Sequence, residues 1–517
     1  MKRKLAFLCG TLALFAGCTA APVSSTPQPE ASPMEITVGF WNAQELLQQD
    51  AVQRYIESRF NVTFVPVNMN YENYTTVLQQ LASSDQLPDI FASDIIGTSA
   101  YESWITQGRI RQIPQDLTDY PHLQEYLSGE YMQQSLYNGS QRYAIPRLTY
   151  HDEDMWALDR CLIVRRDWME ALHLDPPESW EDFEEILHAF VFGDPDGNAM
   201  DDTCGLTAVN LSLLETLYLN WFPELCYTER GWMYENEQWI PVYASENTGE
   251  ALALMQRLYR KGLLDEQLAY ANQAVAVNKF LDGKAGAICI QYSALVQAFA
   301  ERGRLEDAAR QIQVLLPWPA QDGNRYRFTT SLHWSESYFG SSVDNAKMDR
   351  ILEIYDWLLS DEFDQLFQYG LNDTGDGIRT ADNAPAVSPM LQYPSLYLFN
   401  CLVEWDQEQQ YQLTPSSIQL YGEDNIRYAQ ELLTWYSQNT ERVYYNDTIK
   451  NMSTPAKNNL LNNYAIQDEM LKVIVGEENA ATAWPQKLGQ LNTITPLQQA
   501  IREVNEKANE LGIVPPG

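Results

Sequence analysis

The sequence predicts an α/β fold built around a parallel sheet, and three observations carry that prediction. Apolar runs of strand length, ITVGFW (Ile36 to Trp41), VTFVPV (Val62 to Val67) and LPDIF (Leu87 to Phe91), are separated by segments of helix length. Strand, helix, strand, helix, strand is how a parallel sheet with crossover helices begins. The chain has 517 residues, 45% of them apolar, which allows two large lobes, or two to four ordinary domains, around sizeable cores and excludes global disorder.

The elements follow in order. MKRK and LAFLCGTLALF form a charged and then an apolar segment, too short to span a bilayer. Phe15-Ala16-Gly17-Cys18 resembles the bacterial lipobox, in which the cysteine is lipidated, although Phe15 stands where Leu is usual. An ordinary signal peptide with a chance cysteine is the other reading. TAAPVSSTPQPEASP then reads as a tether with no core-forming residues. After the first strand, Leu46, Leu47, Val52, Tyr55, Ile56 and Phe60 recur at helical spacing. A second helix covers about Tyr71 to Ser84. YAIP (Tyr143 to Pro146) reads as a strand, and CLIVRRDWMEAL (Cys161 to Leu172) as a strand running into a helix. SWEDFEEILHAF opens with Ser179, an N-cap candidate followed by acidic residues. KFLDGKAGAICIQYSALVQAF (Lys279 to Phe299) reads helix end, turn, buried strand, helix, and two prolines stop the strand VLLPWP. Met348, Ile351, Leu352, Tyr355, Leu358 and Leu359 line one helix face, and the C-terminal third is mostly helical.

Charge and cysteines narrow the function. A net charge of −36 argues against nucleic acid and against an anionic membrane surface as electrostatic partners. It suits a soluble, monomeric secreted protein. Cys161, Cys204, Cys226, Cys289 and Cys401 are odd in number and lack CxxC spacing, so they form neither a disulfide framework nor a zinc site.

In open α/β sheets ligands sit beyond the carboxyl ends of the strands. Trp41-Asn42 and Ala92-Ser93-Asp94 are therefore candidate ligand loops. The chain carries 14 Trp and 30 Tyr. Aromatic faces stack on sugar C–H faces while Asp, Asn and Arg bond hydroxyls. Trp41, Tyr150, Trp156, Tyr292 and Trp334 lie near predicted strand ends or crossings, with Asn42, Asp94 and Arg147 as polar companions; each aromatic alone also reads as core. In GDPDGNAMDDTCGL, counting from Asp194, oxygen donors fall at positions one (Asp194), three (Asp196), five (Asn198) and nine (Asp202), and Met200 offers its carbonyl at seven. That alternation suits calcium. Ala199 stands where glycine is usual, Gly205 replaces the bidentate glutamate, and Asp201 is a spare donor. An Asp/Gly turn is the alternative. His151-Asp152-Glu153-Asp154 has the residue types for metal or acid–base work, but its place in a loop favours a solvated acidic turn.

The order of segments resembles the extracellular solute-binding proteins that feed ABC importers, in particular saccharide-associated lipoproteins. The resemblance rests on Cys18, SSDQLPDIF, RYAIP, IVRRDWMEALHLDPPESWEDFEEILHAF, DPDGN with DDTCGL, FLDGKAGAICI and DEFDQLFQYGL, which together reach to about residue 380. It implies a two-lobed binding-protein fold with a hinge and a ligand cleft between the lobes. Residues 1–17 would be the signal peptide and 18–34 a lipid-anchored linker. Lobe 1 would span 35–146 and 320–380, and lobe 2 147–319 and 381–517. It implies ligand contacts at Asp94 and at Tyr292-Ser293, an EF-hand-like structural calcium site in the acidic loop, a saccharide ligand and ABC permease subunits as partners. A secreted glycoside hydrolase using paired carboxylates is the alternative from another class, and a structural surface lipoprotein is a third. The chain has no GxSxG, HExxH or GxxxxGK motif.

Overall fold

The computed structural model describes residues 32–515, except 130, 133–140, 201, 209–213, 228–230, 268–271, 386, 405–406 and 445. Cys18, the signal segment, the tether and Asp201 lie outside the described residues.

The first lobe is a five-stranded sheet. Its strands are β1 (Met34–Gly39), β2 (Val62–Pro66), β3 (Ile90–Ser93), β4 (Ala144–Leu148) and, far along the chain, His333–Phe339. β1 pairs in parallel with both β2 and β3, as the alternating pattern predicts. The helix after β1 comes in two pieces, Ala43–Leu46 and Ala51–Phe60, because Asp50 caps the second: its side chain accepts from the Gln53 N–H at 2.9 Å.

The second lobe begins with β5 (Cys161–Arg165) and β6 (Cys204–Ala208), between which runs the helix Trp180–Phe192. Ser179 caps that helix, accepting from the Asp182 N–H at 3.1 Å. A hairpin, β7 (Trp232–Glu235) and β8 (Gln238–Pro241), precedes β9 (Ala285–Ile290) and β10 (Ile312–Val314). The lobe-2 sheet runs β10-β5-β9-β6, with β5 antiparallel to its neighbours and β6 parallel to β9. β11 (Tyr326–Arg327) pairs in parallel with β13 (Glu441–Arg442); between them in sequence lies β12, the lobe-1 strand His333–Phe339.

Two separate hydrophobic cores result. One gathers residues from Ile36 to Ile145 and from Tyr338 to Val403. The other gathers residues from Tyr150 to Phe328 and from Tyr411 to Ala508. The chain crosses between lobes in three segments that lie side by side. Thr149 N–H donates to Leu332 O at 2.8 Å, and Gln407 N–H donates to Thr149 O at 2.9 Å.

Two of these boundaries differ from the sequence expectation. The return crossing lies at about 329–333, not at 319–320, because Pro317 and Pro319 end β10 in a tight turn inside lobe 2: Ala320 N–H bonds Asn324 O and Gly323 sits at φ 87°. Trp318 and Phe328 still belong to the second core. The last crossing follows Val403, not residue 380, because the helix Pro394–Val403 buries Leu396, Leu398, Phe399, Cys401, Leu402 and Val403 in the first core. Cys161, Cys226, Cys289 and Cys401 are buried free thiols, and Cys204 is half-buried and free.

Candidate functional site

The carboxyl ends of β1, β3 and β4 and the amino end of antiparallel β12 meet on one edge of the lobe-1 sheet. An aromatic cluster forms there. Trp41 stacks on Phe40 at 4.2 Å between ring centroids, and lies 5.3 Å from Trp334, 5.5 Å from Tyr74 and 6.1 Å from Tyr71. Tyr71 in turn approaches Trp334 edge-on at 6.3 Å. Such edge and offset contacts add to plain area burial. The chain can turn after Trp41 because Asn42 takes a left-handed conformation, φ 61°, and opens the helix Ala43–Leu46.

Within the cluster Trp41 is 6% exposed and Tyr71 is 61% exposed, so Tyr71 presents the more accessible ring. Beside it the Tyr74 hydroxyl donates to Asp94 Oδ1 at 3.0 Å. Burial, together with the Asp94 carboxylate, pushes the Tyr74 phenol well above its ordinary range, so it stays a donor. The fold therefore brings Trp41, Asn42, Asp94 and Trp334 to one edge. Tyr71 and Tyr74, which the sequence reading placed in a helix, complete the group.

Arg147 takes a different part from the one expected. It is 0% exposed, its guanidinium carbon lying 5.1 Å from the Trp41 ring and 4.9 Å from the Phe40 ring. Nε donates to Cys401 O, and Nη1 donates to Ser335 Oγ at 2.7 Å. It supports the aromatic platform from beneath and does not reach the surface.

Four other candidates are buried in lobe 2. Tyr150 is 0%, Trp156 6%, Tyr292 2% and Ser293 3% exposed. Trp156 packs edge-on to Tyr150 at 4.9 Å, Tyr292 donates its hydroxyl to Asn425 O at 3.1 Å, and Tyr411 OH donates to Ser293 Oγ at 3.3 Å. The side chain at the end of β9 that stays accessible is Gln291, the first residue past Ile290. Its amide donates to Asp159 Oδ1 at 3.0 Å and to Gln407 Oε1 at 2.8 Å. Tyr150 OH also donates to Asp159. Asp159 is half-buried, and desolvation raises its carboxyl to about 7.

A wall that the sequence reading did not anticipate comes from the C-terminal region. A Cβ placed on Gly97, in the loop after β3, would lie 2.8 Å from the Asn451 backbone. Asn462 Nδ2 donates to Ser99 Oγ at 2.8 Å. The segment leading to Asn451 presents Tyr444, 46% exposed, whose hydroxyl accepts from Asn446 Nδ2 at 2.9 Å, and Asp447, which accepts from Ser331 Oγ. The two lobes thus touch across the cleft as well as at the hinge.

The His151-Asp152-Glu153-Asp154 loop is a knot of ion pairs more than a solvated turn. Arg442 meets Asp154 at 2.7 Å, Glu153 at 2.9 Å and Asp152 at 3.5 Å, and Arg327 meets Asp154 at 2.8 Å. His151 Nε2 lies 2.7 Å from Glu404. The loop abuts both β13 and the third crossing, where these partners converge.

The acidic loop folds as a turn. Ala199 occupies the left-handed region at φ 58°, as the glycine of a calcium loop would. Its N–H donates to Asp194 at 3.1 Å, and Asn198 Nδ2 donates to Asp196 at 2.8 Å and to Asp202 at 3.2 Å. The Lys284 ammonium pairs with Asp202 and holds its carboxyl below the usual range. No side chain fits at position twelve, because a Cβ on Gly205 would lie 2.6 Å from Leu263 O. The oxygen donors thus suit a hard divalent cation in kind, with one of them committed to an ammonium. Among the described residues no three His, Cys, Asp or Glu side chains gather into a ready metal cage.

Comparison with known proteins agrees with this architecture. The lipoprotein LipO of Bacillus subtilis (strain 168) is 26% identical over 298 residues, which is 56% of this chain and 56% of that protein. The match thus spans little more than half of that relative. The structure of alginate-binding protein AlgQ2 without calcium ion superposes with a TM-score of 0.69 at 14% identity, covering 92% of this chain and 98% of that one. The Streptococcus pneumoniae ABC-transporter substrate-binding protein FusA in complex with kestose gives 0.65 at 15% identity, covering 93% and 99%. At these identities the likeness is one of fold. Residues 50–366, more than half of the chain, match the family described as bacterial extracellular solute-binding protein. With two lobes, a three-segment hinge and an aromatic edge facing the opposite lobe, the chain belongs to the bacterial extracellular solute-binding proteins.

Proposed function

We propose that this chain is the lipid-anchored, extracytoplasmic capture component of an ABC importer and that its solute is a saccharide held between the lobes. The observation that carries the reading is the cluster of Trp41, Tyr71, Tyr74 and Trp334 beside Asp94. Its rings offer flat faces to sugar C–H groups, and the carboxylate accepts from hydroxyls. Closing the lobes removes water from both surfaces at once. A ligand bound by both lobes therefore shifts the population toward the closed form, which the permease then receives. Cys18 would carry the lipid. Among the described residues no helix is long and apolar enough to cross a membrane.

Structural calcium belongs to the same reading. Asp194, Asp196, Asn198 and Asp202, with the carbonyl of Met200, would hold it in place of the Lys284 ammonium. It would tie the helix Trp180–Phe192 to β6 and supply no chemistry.

The test is calorimetric titration of the mature chain against mono- and oligosaccharides, followed by analysis of the recovered sugar. Saturable one-site binding with intact sugar is expected. Shortened sugar would replace the binder with a hydrolase, and no binding across the panel would remove the saccharide.

A further inference from the structure

The loops following β1, β2 and β3 bring Trp41, Tyr71 and Asp94 to the aromatic edge, where β12 adds Trp334. None carries a basic residue: there is no Lys or Arg from Met34 to Gln53, nor from Phe60 to Gly108. Those stretches instead hold Glu45, on the helix Ala43–Leu46, and Glu72, both exposed, and Asp94, half-buried against Tyr74. The cation packed against the Trp41 ring is Arg147, which is 0% exposed, with hydrogen bonds to Cys401 O and Ser335 Oγ.

On the facing side Arg442, Arg327 and Lys457 are committed in the same way. Arg442 is ringed by Asp152, Glu153 and Asp154, and Arg327 shares Asp154. Lys457 is 1% exposed and donates to Ile449 O at 2.9 Å, Lys450 O at 2.6 Å and Met452 O at 2.7 Å. Lys450 reaches Ser331 Oγ at 3.5 Å, the hydroxyl that itself donates to Asp447. The polar groups beside these charges include the Asn446 amide and the Tyr444 hydroxyl, which are bonded to each other at 2.9 Å.

We infer that the cleft is built for a neutral saccharide and rejects uronates, so that this chain shares the fold of an alginate-binding protein without sharing its class of ligand. This rests on the saccharide reading above. A uronate carboxylate seated on the platform meets Asp94 in a site that closure dries. There a like charge costs several times what it costs in water. A neutral ring brings only hydroxyls, which Asp94 accepts.

The experiment is tryptophan-fluorescence titration of the mature chain at low salt with two matched sets. One holds neutral trisaccharides of fructose, glucose, galactose, mannose and xylose; the other holds trigalacturonate, trimannuronate and triguluronate. The best neutral sugar is expected to bind at least about 100-fold more tightly than the best uronate. Asp94→Asn is expected to narrow that gap by improving uronates relative to neutral sugars, a change that a merely structural role for Asp94 would not produce. A uronate as best ligand, or a gap unmoved by Asp94→Asn, overturns the inference and leaves the saccharide reading standing. Binding to neither set overturns the saccharide reading itself.

Discussion

Tyr71 is the residue on which the ligand surface can be tested most cleanly. Trp41 is nearly buried and packs on both Phe40 and Arg147, so Trp41→Ala would cost about 3–5 kcal/mol of stability and confuse fold with function. Tyr71 is exposed. Tyr71→Ala is expected to leave stability within about 0.5 kcal/mol and to weaken saccharide binding by about 30-fold, as loss of an aromatic anchor does. Urea unfolding and calorimetry on one preparation check both; unchanged affinity would remove the platform. Asp159 gives a pH test at the same scale. Its carboxyl is raised to about 7 by burial, above an unfolded value of about 3.9. Its contribution to stability is therefore full below about pH 4 and is lost as pH rises toward 7, because the unfolded chain releases a proton that the folded chain retains. Asp159→Asn keeps an acceptor for Tyr150 and Gln291 and removes the titration. Denaturant midpoints from pH 4.5 to 7.5 are expected to fall less steeply in the variant than in the parent. Equal slopes would mean that Asp159 ionises normally inside the hinge.

At the scale of elements, much was legible from the sequence. The second strand, the Ser179 cap and β9 sit where apolar runs and capping residues place them, because each is decided by local pattern, whereas β1 starts earlier than its apolar run and β3 takes in Ala92 and Ser93, which the sequence places in a loop. What failed was register. The family resemblance put ligand contacts at Tyr292 and Ser293, but these open the helix after β9 with their side chains buried, and the half-buried side chain between strand and helix is Gln291. A shift of one residue turns a side chain from cleft to core, and a likeness between segments does not fix which of two neighbours faces the cleft. Arg147 misled for a related reason. A charged residue reads as surface in sequence, and nothing local signals that two aromatic rings and a carbonyl will enclose it. The acidic loop shows the converse: its spacing was visible, but its partner Lys284 lies 82 residues away. That partner makes a prediction. The ammonium must leave Asp202 before a divalent cation can use it, so Lys284→Gln is expected to tighten calcium binding about tenfold, measured by calorimetry against chelator-treated protein. Weaker or unchanged binding would show that Lys284 does not compete for the site.

For the whole molecule, the C-terminal region was readable only as helices, because amphipathic stripes report that a face is buried and not against what. Its helices pack on lobe 2, as when Trp484 Nε1 donates to Tyr243 O at 3.0 Å, yet their far end reaches lobe 1. This makes closure a property of three regions: the hinge, the aromatic edge and the contact of Gly97 and Ser99 with Asn451 and Asn462. Gly97 is the point at which that third region can be perturbed alone. It holds φ 78°, and an added Cβ would meet the Asn451 backbone at 2.8 Å. A β-branched side chain there is strained in the loop and cannot be accommodated against Asn451 unless the lobes part. In the open form only the loop strain remains, on the order of 1–2 kcal/mol. Gly97→Val is therefore expected to disfavour closure specifically. Saccharide affinity falls by about tenfold or more, and the ligand-free radius of gyration by small-angle scattering rises toward that of the open form. Saturating sugar no longer compacts the variant as it compacts the parent. Asn462→Ala, which loses one hydrogen bond and adds no clash, is expected to shift affinity in the same direction by less. If Gly97→Val closes around sugar with the parent's affinity and radius, the contact is incidental to closure, and the hinge and the ligand alone set the equilibrium.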